Sequence, residues 1–298
     1  MTPGARVDLP PTSPGADAVH AMAARGVRLD VPAWCEAGRR AREAFRAAGD
    51  VERWRSLGAY LDTSATQARR TGRVRAAWHE LRCGRLTATR PPLQSVTKAH
   101  GLRQAVIPAD GCVFVVADWR SAHAWIAAGL SGDVGLIDDL TSGDVYLEAG
   151  AGDRKVGKIR VLSTLNGAGD DTVGADVGAW WARYPALDRY VKATRAEPRW
   201  TTPLGRRLDL TGEVDVYTRA PAWLWTSHEA DAMRMVLRSV EGAVLVVHDE
   251  IVLEVAGDGL AEAAQLRDRM AWALRFVARV GASDDHLVSV DVRGSWGR

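Results

Sequence analysis

Cysteine is scarce in this chain of 298 residues, and the three cysteines, Cys35, Cys83 and Cys112, lie far apart. None belongs to a CxxC pair, which argues against a structural zinc site and a disulfide framework. Long hydrophobic runs are also missing, since no stretch approaches the ~20 apolar residues that a membrane helix needs. The N-terminus has no apolar core behind a basic start, so we expect no secretory signal. These absences favour a cytoplasmic protein with no membrane partner.

The composition is that of an ordinary globular protein. Hydrophobic residues make up 47% and charged residues 26%, which excludes a mainly disordered chain or a fibrous repeat. The length predicts about two domains of ~150 residues, or one large lobed domain. Residues 1–18 are rich in Pro, Gly and Ser without apolar periodicity, and they predict a mobile tail.

Charge is distributed unevenly although the formal net charge is only +2. Residues 24–102 hold 16 Lys and Arg against 7 Asp and Glu, whereas the rest of the chain holds 23 against 30. Such asymmetry indicates a surface for a polyanion followed by a more acidic part. The alternative is that the long arginine side chains merely solvate helices.

Local patterns predict a mixture of strands and irregularly spaced helices. Such a mixture is typical of an α+β fold and not of regular βαβ winding. The predicted elements are two helices over 31–70 broken near Gly49 and Asp50, a loop over 84–103, a buried strand over 112–117, a helix from Arg154 to Leu165 capped by Asp153, a hairpin of 243–247 with 251–255, a helix over 260–280 and a last strand over 287–292.

Acidic residues stand where two predicted strands end. Asp118 follows the buried strand directly, and Asp249 and Glu250 occupy the hairpin turn. If the two strands lie side by side, Asp118 and Asp249 meet, and they repel each other unless a cation lies between them. Mg²⁺ prefers such hard oxygen ligands, and two ions can clamp the oxygens of a phosphoryl transfer. The alternative is that acids are common at strand ends because they are soluble there.

A basic pair lies on the predicted helix 154–165. Arg154 and Lys158 are four residues apart and share one helix face. The arginine fork and the lysine point charge together suit a polyphosphate. The alternative is a solvated basic face.

Segments between residues 25 and 296 resemble, in order, the motifs of the family A (DNA polymerase I-like) DNA polymerases. Asp118 and residues 119–133 resemble motif A, 154–167 resemble motif B, and 247–254, which reads VHDEIVLE, is similar to motif C. The TGR, GRL and LQ segments within 71–94 resemble the region before motif A. Each match is modest, with motif C the strongest, but their shared order is specific.

The resemblance implies a right-hand polymerase fold with an antiparallel palm sheet, compact helical fingers and a much reduced thumb. It implies an expected domain order along the chain: the tail 1–18, the lead-in to the palm with a thumb remnant over 19–78, the first part of the palm over 79–133, the fingers over 134–218 and the second part of the palm over 219–298.

The resemblance also implies roles for individual residues. Asp118 and Asp249 would bind two Mg²⁺ ions, with Mn²⁺ as a substitute, and Glu250 would complete the catalytic group. Primer-template DNA would be contacted by Arg85, Gln94 and His248. The residues expected to bind the deoxynucleoside triphosphate are Arg154, Lys158, Leu162, Asn166 and His123.

Four positions depart from the family pattern. His123 stands where the family has the glutamate that acts as a steric gate against the ribose 2′-hydroxyl. Asn166 and Leu162 stand where motif B has Tyr and Phe, and Trp125 replaces an arginine of motif A. These changes predict weaker discrimination against ribonucleotides and altered base stacking.

The short chain predicts a distributive enzyme. Only residues 32–70 stand where the family has a long thumb, and the resemblance starts at the polymerase domain, so we expect no exonuclease domain. Fewer phosphate contacts predict weak, salt-sensitive binding of primer-template. A separate protein would then supply exonuclease or processivity function. The leading hypothesis is template-dependent DNA synthesis; the alternatives are a weakened relative that only binds nucleic acid and a metal-dependent nuclease.

Overall fold

The computed structural model describes residues 7–9, 13–169 and 177–297. Helices and strands alternate irregularly, which confirms the predicted α+β class. Among these residues the helices are α1 (Ala16–Arg25), α2 (Val31–Ala47), α3 (Val51–Thr71), α4 (Ala122–Ser131), α5 (Val134–Ser142), α6 (Val145–Ala149), α7 (Arg154–Leu165), α8 (Val177–Arg183), α9 (Pro185–Ala196), α10 (Val216–Ser239), α11 (Leu260–Ala278) and α12 (Asp284–Leu287).

The strands form one larger sheet and three smaller ones. Their bounds are β1 (Val7–Asp8), β2 (Arg28–Leu29), β3 (Ala77–Glu80), β4 (Leu86–Thr89), β5 (Val106–Ile107), β6 (Cys112–Trp119), β7 (Arg199–Thr201), β8 (Arg207–Asp209), β9 (Ala243–Val247), β10 (Glu250–Ala256) and β11 (Val288–Arg293). The larger sheet has the order β11-β6-β10-β9, and the smaller ones are β1-β3-β4, β2-β5 and β7-β8.

The four-stranded sheet is antiparallel throughout and holds the centre of the core. In the middle of β6, Phe114 to Ala117 are at most 2% exposed, because α11 packs on this strand. A strand buried in this way reads as a continuous apolar run, which is how the sequence predicted it. The rigid strand therefore delivers Asp118, at its carboxyl end, in a fixed position.

The helix pair α2–α3 breaks where the sequence predicts. Gly49 takes a left-handed φ of 67°, which glycine adopts without a Cβ penalty, and the Asp50 side chain caps α3 by accepting from the Arg53 amide at 3.0 Å. The two helices are joined by the buried Trp34, whose Nε1 donates to the Leu61 carbonyl at 3.1 Å.

A close backbone approach joins α6 to α7. A Cβ at Gly157 would lie 1.6 Å from the Tyr146 carbonyl oxygen, so only glycine fits there. Asp153 caps α7 by accepting from the Lys155 and Val156 amides, as predicted. This packing fixes the position of the helix that carries Arg154 and Lys158.

Two sequence expectations are corrected. The predicted tail lies partly outside the described residues, at 1–6 and 10–12, but β1 pairs with β3 and α1 begins at Ala16, so residues 16–18 are helical. The helix forms because Val19 and Met22 are fully buried. The predicted loop 84–103 contains β4, where buried Leu86 and Ala88 alternate with partly exposed threonines in strand periodicity.

The remaining predicted elements are confirmed to within two residues: the hairpin is β9 with β10, the helix over 260–280 is α11, and the last strand is β11. The three cysteines are free thiols. None of the described helices is long and apolar enough to cross a membrane.

Candidate active site

Acidic residues lie at one end of β6 and β10, the two central strands of the four-stranded sheet. This end of the sheet is called the sheet edge. The register of β6 with β10 places Asp118 directly opposite Glu250. Asp249 lies in the turn just before Glu250, and its carbonyl accepts from the Trp119 amide at 3.3 Å. The turn is tight because His248 takes a left-handed φ of 58°. Strand pairing therefore holds Asp118 and Asp249 at the same end of the sheet, where the charge of Asp249 acts on Asp118.

Both aspartates have raised pKa values. Burial is the largest cause at Asp118, followed by the charges of Asp249 and Glu250, and together they raise the pKa of Asp118 to about 7. Burial, then the charge of Glu229, raises the pKa of Asp249. In addition, Asp118 Oδ1 is buried without a hydrogen-bond partner among the described residues. At both aspartates, burial and the neighbouring acidic charges outweigh the attraction of Lys158.

The donor set at this edge suits a divalent cation with hard-ligand preference. Mg²⁺ or Mn²⁺ would bind two carboxylates, of which that of Asp118 has a buried oxygen without a hydrogen-bond partner among the described residues. Across the described residues no group of three or more acidic, His or Cys side chains is gathered for a metal. Water or phosphate oxygens would have to complete the coordination, which Mg²⁺ commonly accepts.

Glu250 is held by Trp296 and Arg103, which line the same cavity. Its Oε1 accepts from Trp296 Nε1 at 2.6 Å, and Arg103 Nη1 lies 3.6 Å from the same oxygen. The Arg103 guanidinium stacks over the Trp296 ring, 4.0 Å from its centroid. Asp118 and Glu250 line a cavity of about 300 Å³ that Lys98 and Arg103 also line.

Helix α7 carries a lysine, Lys158, whose charge acts on both aspartates. Lys158 is exposed, and its charge lowers the pKa values of both Asp118 and Asp249 against the larger effect of burial. Arg154 is differently placed, since its Nε donates to Asp144 Oδ2 at 2.5 Å and its guanidinium lies over Tyr146. Of the predicted pair, Arg154 is paired with Asp144, whereas the charge of Lys158 acts on both aspartates.

The other two motif B positions lie along the same helix. Leu162 is half-buried, and Asn166 is the residue at which α7 ends. The Asn166 backbone N–H donates to the Leu162 carbonyl at 3.1 Å. The side-chain Oδ1 of Asn166 is buried and has no hydrogen-bond partner among the described residues.

A buried carboxylate joins two predicted site residues. Arg85 Nη2 donates to Glu229 Oε1 at 2.8 Å, and His123 Nε2 lies 2.8 Å from Glu229 Oε2. The Glu229 side chain is 5% exposed. Burial would raise its pKa, but the charges and hydrogen bonds of His123 and Arg85 lower it to about 2. Glu229 is therefore ionised at neutral pH.

The two remaining predicted residues differ in what they offer. Gln94 is fully engaged with backbone, because its Nε2 donates to the Leu86 and Val246 carbonyls and its Oε1 accepts from the Ala88 amide. It ties β4 to β9 and presents no free amide group in this structure. His248 is exposed at the hairpin turn, where desolvation and then the charge of Arg85 lower its pKa.

Curated relatives and a solved structure match the chain. DNA polymerase I of Pseudomonas aeruginosa is 27% identical over 244 residues, which cover 63% of this chain and 26% of that protein. DNA polymerase I of Chloroflexus aurantiacus is 26% identical over 290 residues, covering 78% and 31%. The chain thus spans between 26% and 31% of the length of these relatives. No protein-family profile matches it.

The fold is shared with a solved structure described as the POL domain of Pol1 from M. smegmatis in complex with DNA primer-template and dNTP. The TM-score is 0.72 at 19% identity, and the match covers 95% of this chain and 69% of that one. The resemblance to DNA polymerase I is confirmed. What this chain shares with that structure is the fold of its polymerase domain.

The motifs shared with DNA polymerase I did not reveal Glu229, Arg103 or Lys98. The sequence did contain a signal for Glu229. It lies between Trp225 and Met233 at four-residue spacing, on a helix face that these apolar residues share. A charge in such an apolar stripe predicts a buried ion pair. No comparable pattern marks Arg103 and Lys98, which lie in a loop with short 3₁₀ turns.

Proposed function

We propose that this protein is a DNA-directed DNA polymerase that adds deoxynucleotides to a primer 3′-hydroxyl. The observation that carries the proposal is the pair of half-buried aspartates, Asp118 and Asp249, whose pKa values are raised and on both of which the charge of Lys158 acts. The similarity to DNA polymerase I supports the nucleic-acid substrate. Because the chain spans a minor part of those relatives, the activity is a proposal for this chain.

The same proposal gives the elements their parts in a right-hand arrangement. The four-stranded sheet acts as the palm over 79–133 and 219–298, and the helices of 134–218 act as compact fingers. The α2–α3 pair within 19–78 acts as a much reduced thumb. The close packing of α6 on α7 and the short α2–α3 pair support compact fingers and a small thumb.

Asp118 and Asp249 would hold two divalent cations, Mg²⁺ or Mn²⁺. The buried, unpartnered Asp118 Oδ1 and the raised pKa values of both aspartates fit this role. Such ions, when bound, activate the attacking hydroxyl and neutralise charge that develops on the phosphate oxygens. Glu250, held by Trp296 and Arg103, keeps the strand edge in place and adds negative charge beside Asp118.

The remaining residues bind and orient the two substrates. Lys158 is placed to receive the triphosphate, and Arg154 joins it once released from Asp144. The bond that forms joins the primer 3′-oxygen to the α-phosphorus, and pyrophosphate leaves. Positioning and charge neutralisation supply the rate enhancement. The side chains assigned to the nucleotide's sugar and base are His123, Leu162 and Asn166.

Primer-template would be held by Arg85 and His248, with Gln94 fixing the strands beneath them. The short α2–α3 pair would make few phosphate contacts, so synthesis would be distributive and steeply salt-sensitive. A histidine at position 123 is expected to weaken rejection of ribonucleotides. A separate protein would supply proofreading or processivity.

The test is primer extension on a labelled primer-template with Mg²⁺ and dNTPs, comparing the wild type with Asp249→Ala. We expect extension by the wild type and none by the variant. The matched control is Asp258→Ala, an exposed aspartate after β10 that leaves extension unchanged. Shortening of the primer would assign a nuclease instead, and a gel shift without either product would assign a nucleic-acid-binding relative.

Two further arms test the finer claims. Long products in a single binding event, with a DNA trap present, would contradict distributive synthesis. Strong rejection of rNTPs in place of dNTPs would contradict the weakened sugar discrimination.

A further inference from the structure

Glu229 is a buried carboxylate that no motif assigns. It lies on α10, and its side chain is 5% exposed. It contacts two basic side chains from different elements: Arg85, just before β4, and His123, in the first turn of α4. Each contact measures 2.8 Å. Glu229 therefore connects three elements whose sequence positions lie far apart.

Both partners of Glu229 act on the proposed catalytic edge. The charge of His123 lowers the pKa of Asp249, and the charge of Asp249 in turn acts on Arg85. Arg85 also lowers the pKa of His248. A carboxylate that fixes these two side chains sets where basic groups lie beside the aspartates. This goes beyond filling the core, for which an apolar side chain would suffice.

We propose that Glu229 is a positioning residue that couples nucleotide binding through His123 to primer-template binding through Arg85. The inference rests on the proposed function and deepens it. Glu229 holds the His123 ring on the nucleotide side and the Arg85 guanidinium on the primer side. Because one carboxylate contacts both side chains, a movement of His123 alters the contact of Glu229 with Arg85, and a movement of Arg85 alters its contact with His123.

The experiment measures nucleotide KM, kcat and primer-template Kd for Glu229→Gln, His123→Gln and Arg85→Gln. We expect Glu229→Gln to raise both the KM and the Kd by about tenfold, the effect of one lost charge-assisted hydrogen bond. His123→Gln alone should raise mainly the KM, and Arg85→Gln alone mainly the Kd. The matched control is Glu241→Gln, an exposed glutamate after α10 that should change neither.

Coupling is tested by combining the substitutions. In the Glu229→Gln background, His123→Gln should add less than about twofold to the KM, because the contact is already lost. If Glu229→Gln does not fold, the double variant Arg85→Gln/His123→Gln serves, and its effects should be non-additive. Additive effects, or a lower melting temperature with unchanged KM and Kd, would overturn the inference.

The two proposals fail differently. A wild type that does not extend a primer contradicts the proposed function, and the inference with it. A wild type that extends, with variants whose effects on KM and Kd are independent, contradicts the role of Glu229 alone.

Discussion

The charged residues at the edge of the four-stranded sheet behave differently from those of the α2–α3 pair. At the sheet edge, Glu229 and Glu250 are 5% and 12% exposed, and their partners come from distant elements. On α2, Arg39 is 57% exposed, and both of its partners, Glu36 and Glu43, belong to its own helix. One region concentrates few buried charges, and the other spreads many exposed ones.

Solvent decides what these charges can do. Water and salt screen the exposed pairs of α2, so each contributes little to stability and can exchange partners. At the sheet edge, screening is weak, and unbalanced charge shifts pKa values, as at Asp118. The comparison teaches that charges shift one another's pKa values most where they are crowded and shielded from water, whereas the exposed charges of α2 are screened.

The largest expected effect is that of Asp118→Asn, which should act on activity and stability with opposite signs. Extension should fall by more than about 100-fold, beyond what loss of an outer partner costs a metal site. Stability in EDTA at pH 8 should rise, because the substitution removes a buried charge that burial and Asp249 disfavour. The measurements are single-turnover extension and thermal unfolding.

The pH dependence follows from the same raised pKa. With a folded-state pKa of about 7 for Asp118, the native protein binds a proton between about pH 4 and pH 7 that the unfolded chain has released. Wild-type stability in EDTA should therefore fall as pH rises through this window, and Asp118→Asn should reduce that fall. An equal slope in both proteins would show that Asp118 does not carry the repulsion.

Next in size is the difference between Lys158 and Arg154, the two residues of α7 expected to bind the triphosphate. Lys158→Met should raise the nucleotide KM on the order of 50-fold, the range of a lost charge-assisted contact. Arg154→Gln should raise it less, because Arg154 is bound to Asp144 in this structure. Lys155→Gln, an exposed neighbour, is the control. Equal effects of Lys158→Met and Lys155→Gln would contradict the assignment of Lys158.

A smaller effect tests the packing that positions α7. Gly157→Ala should destabilise the protein by about 2 kcal/mol, since its Cβ meets the Tyr146 carbonyl and an overpacked contact costs 1–3 kcal/mol. Gly281→Ala is the control, because nothing lies within 4 Å of the added Cβ. Chemical denaturation compares the two. Equal stability of both variants would show that α6 and α7 are not closely packed.

Periodicity and capping residues predicted the four strands of the larger sheet and the helices α2, α3, α7 and α11. The break at Gly49, the cap at Asp153 and the β9–β10 hairpin follow from local patterns that the folded protein keeps. The strand β4 was missed because it has only four residues, and Pro91 and Pro92, which follow closely, predicted a loop. The helix α1 was missed because its burial depends on distant packing against β9 and α10.

The sequence predicted those residues of the candidate site that lie within a motif or next to a predicted strand. Asp118 lies near the end of a predicted strand and Asp249 in the turn of a predicted hairpin, so their proximity could be expected from sequence if the strands pair, as β6 and β10 do. The ties of Arg85 to Glu229 and of Gln94 to β9 span more than 140 residues of chain, and no local pattern encodes them. The pairing of Arg154 with Asp144 likewise depends on how α6 folds against α7.

The smallest effect distinguishes paired from unpaired arginines on the α2–α3 surface. Arg55 and Arg70 are exposed on α3 and have no ion pair among the described residues, whereas Arg39 has two. The double variant Arg55→Gln/Arg70→Gln should lower the slope of log Kd for primer-template against log salt by up to about 1.8, or 0.9 for each lost phosphate contact. Arg39→Gln should change this slope less, because Glu36 and Glu43 already neutralise its charge. If the paired arginine proves as important as the two unpaired ones, α2–α3 binds DNA as a preformed site, and the contrast with the sheet edge loses its basis.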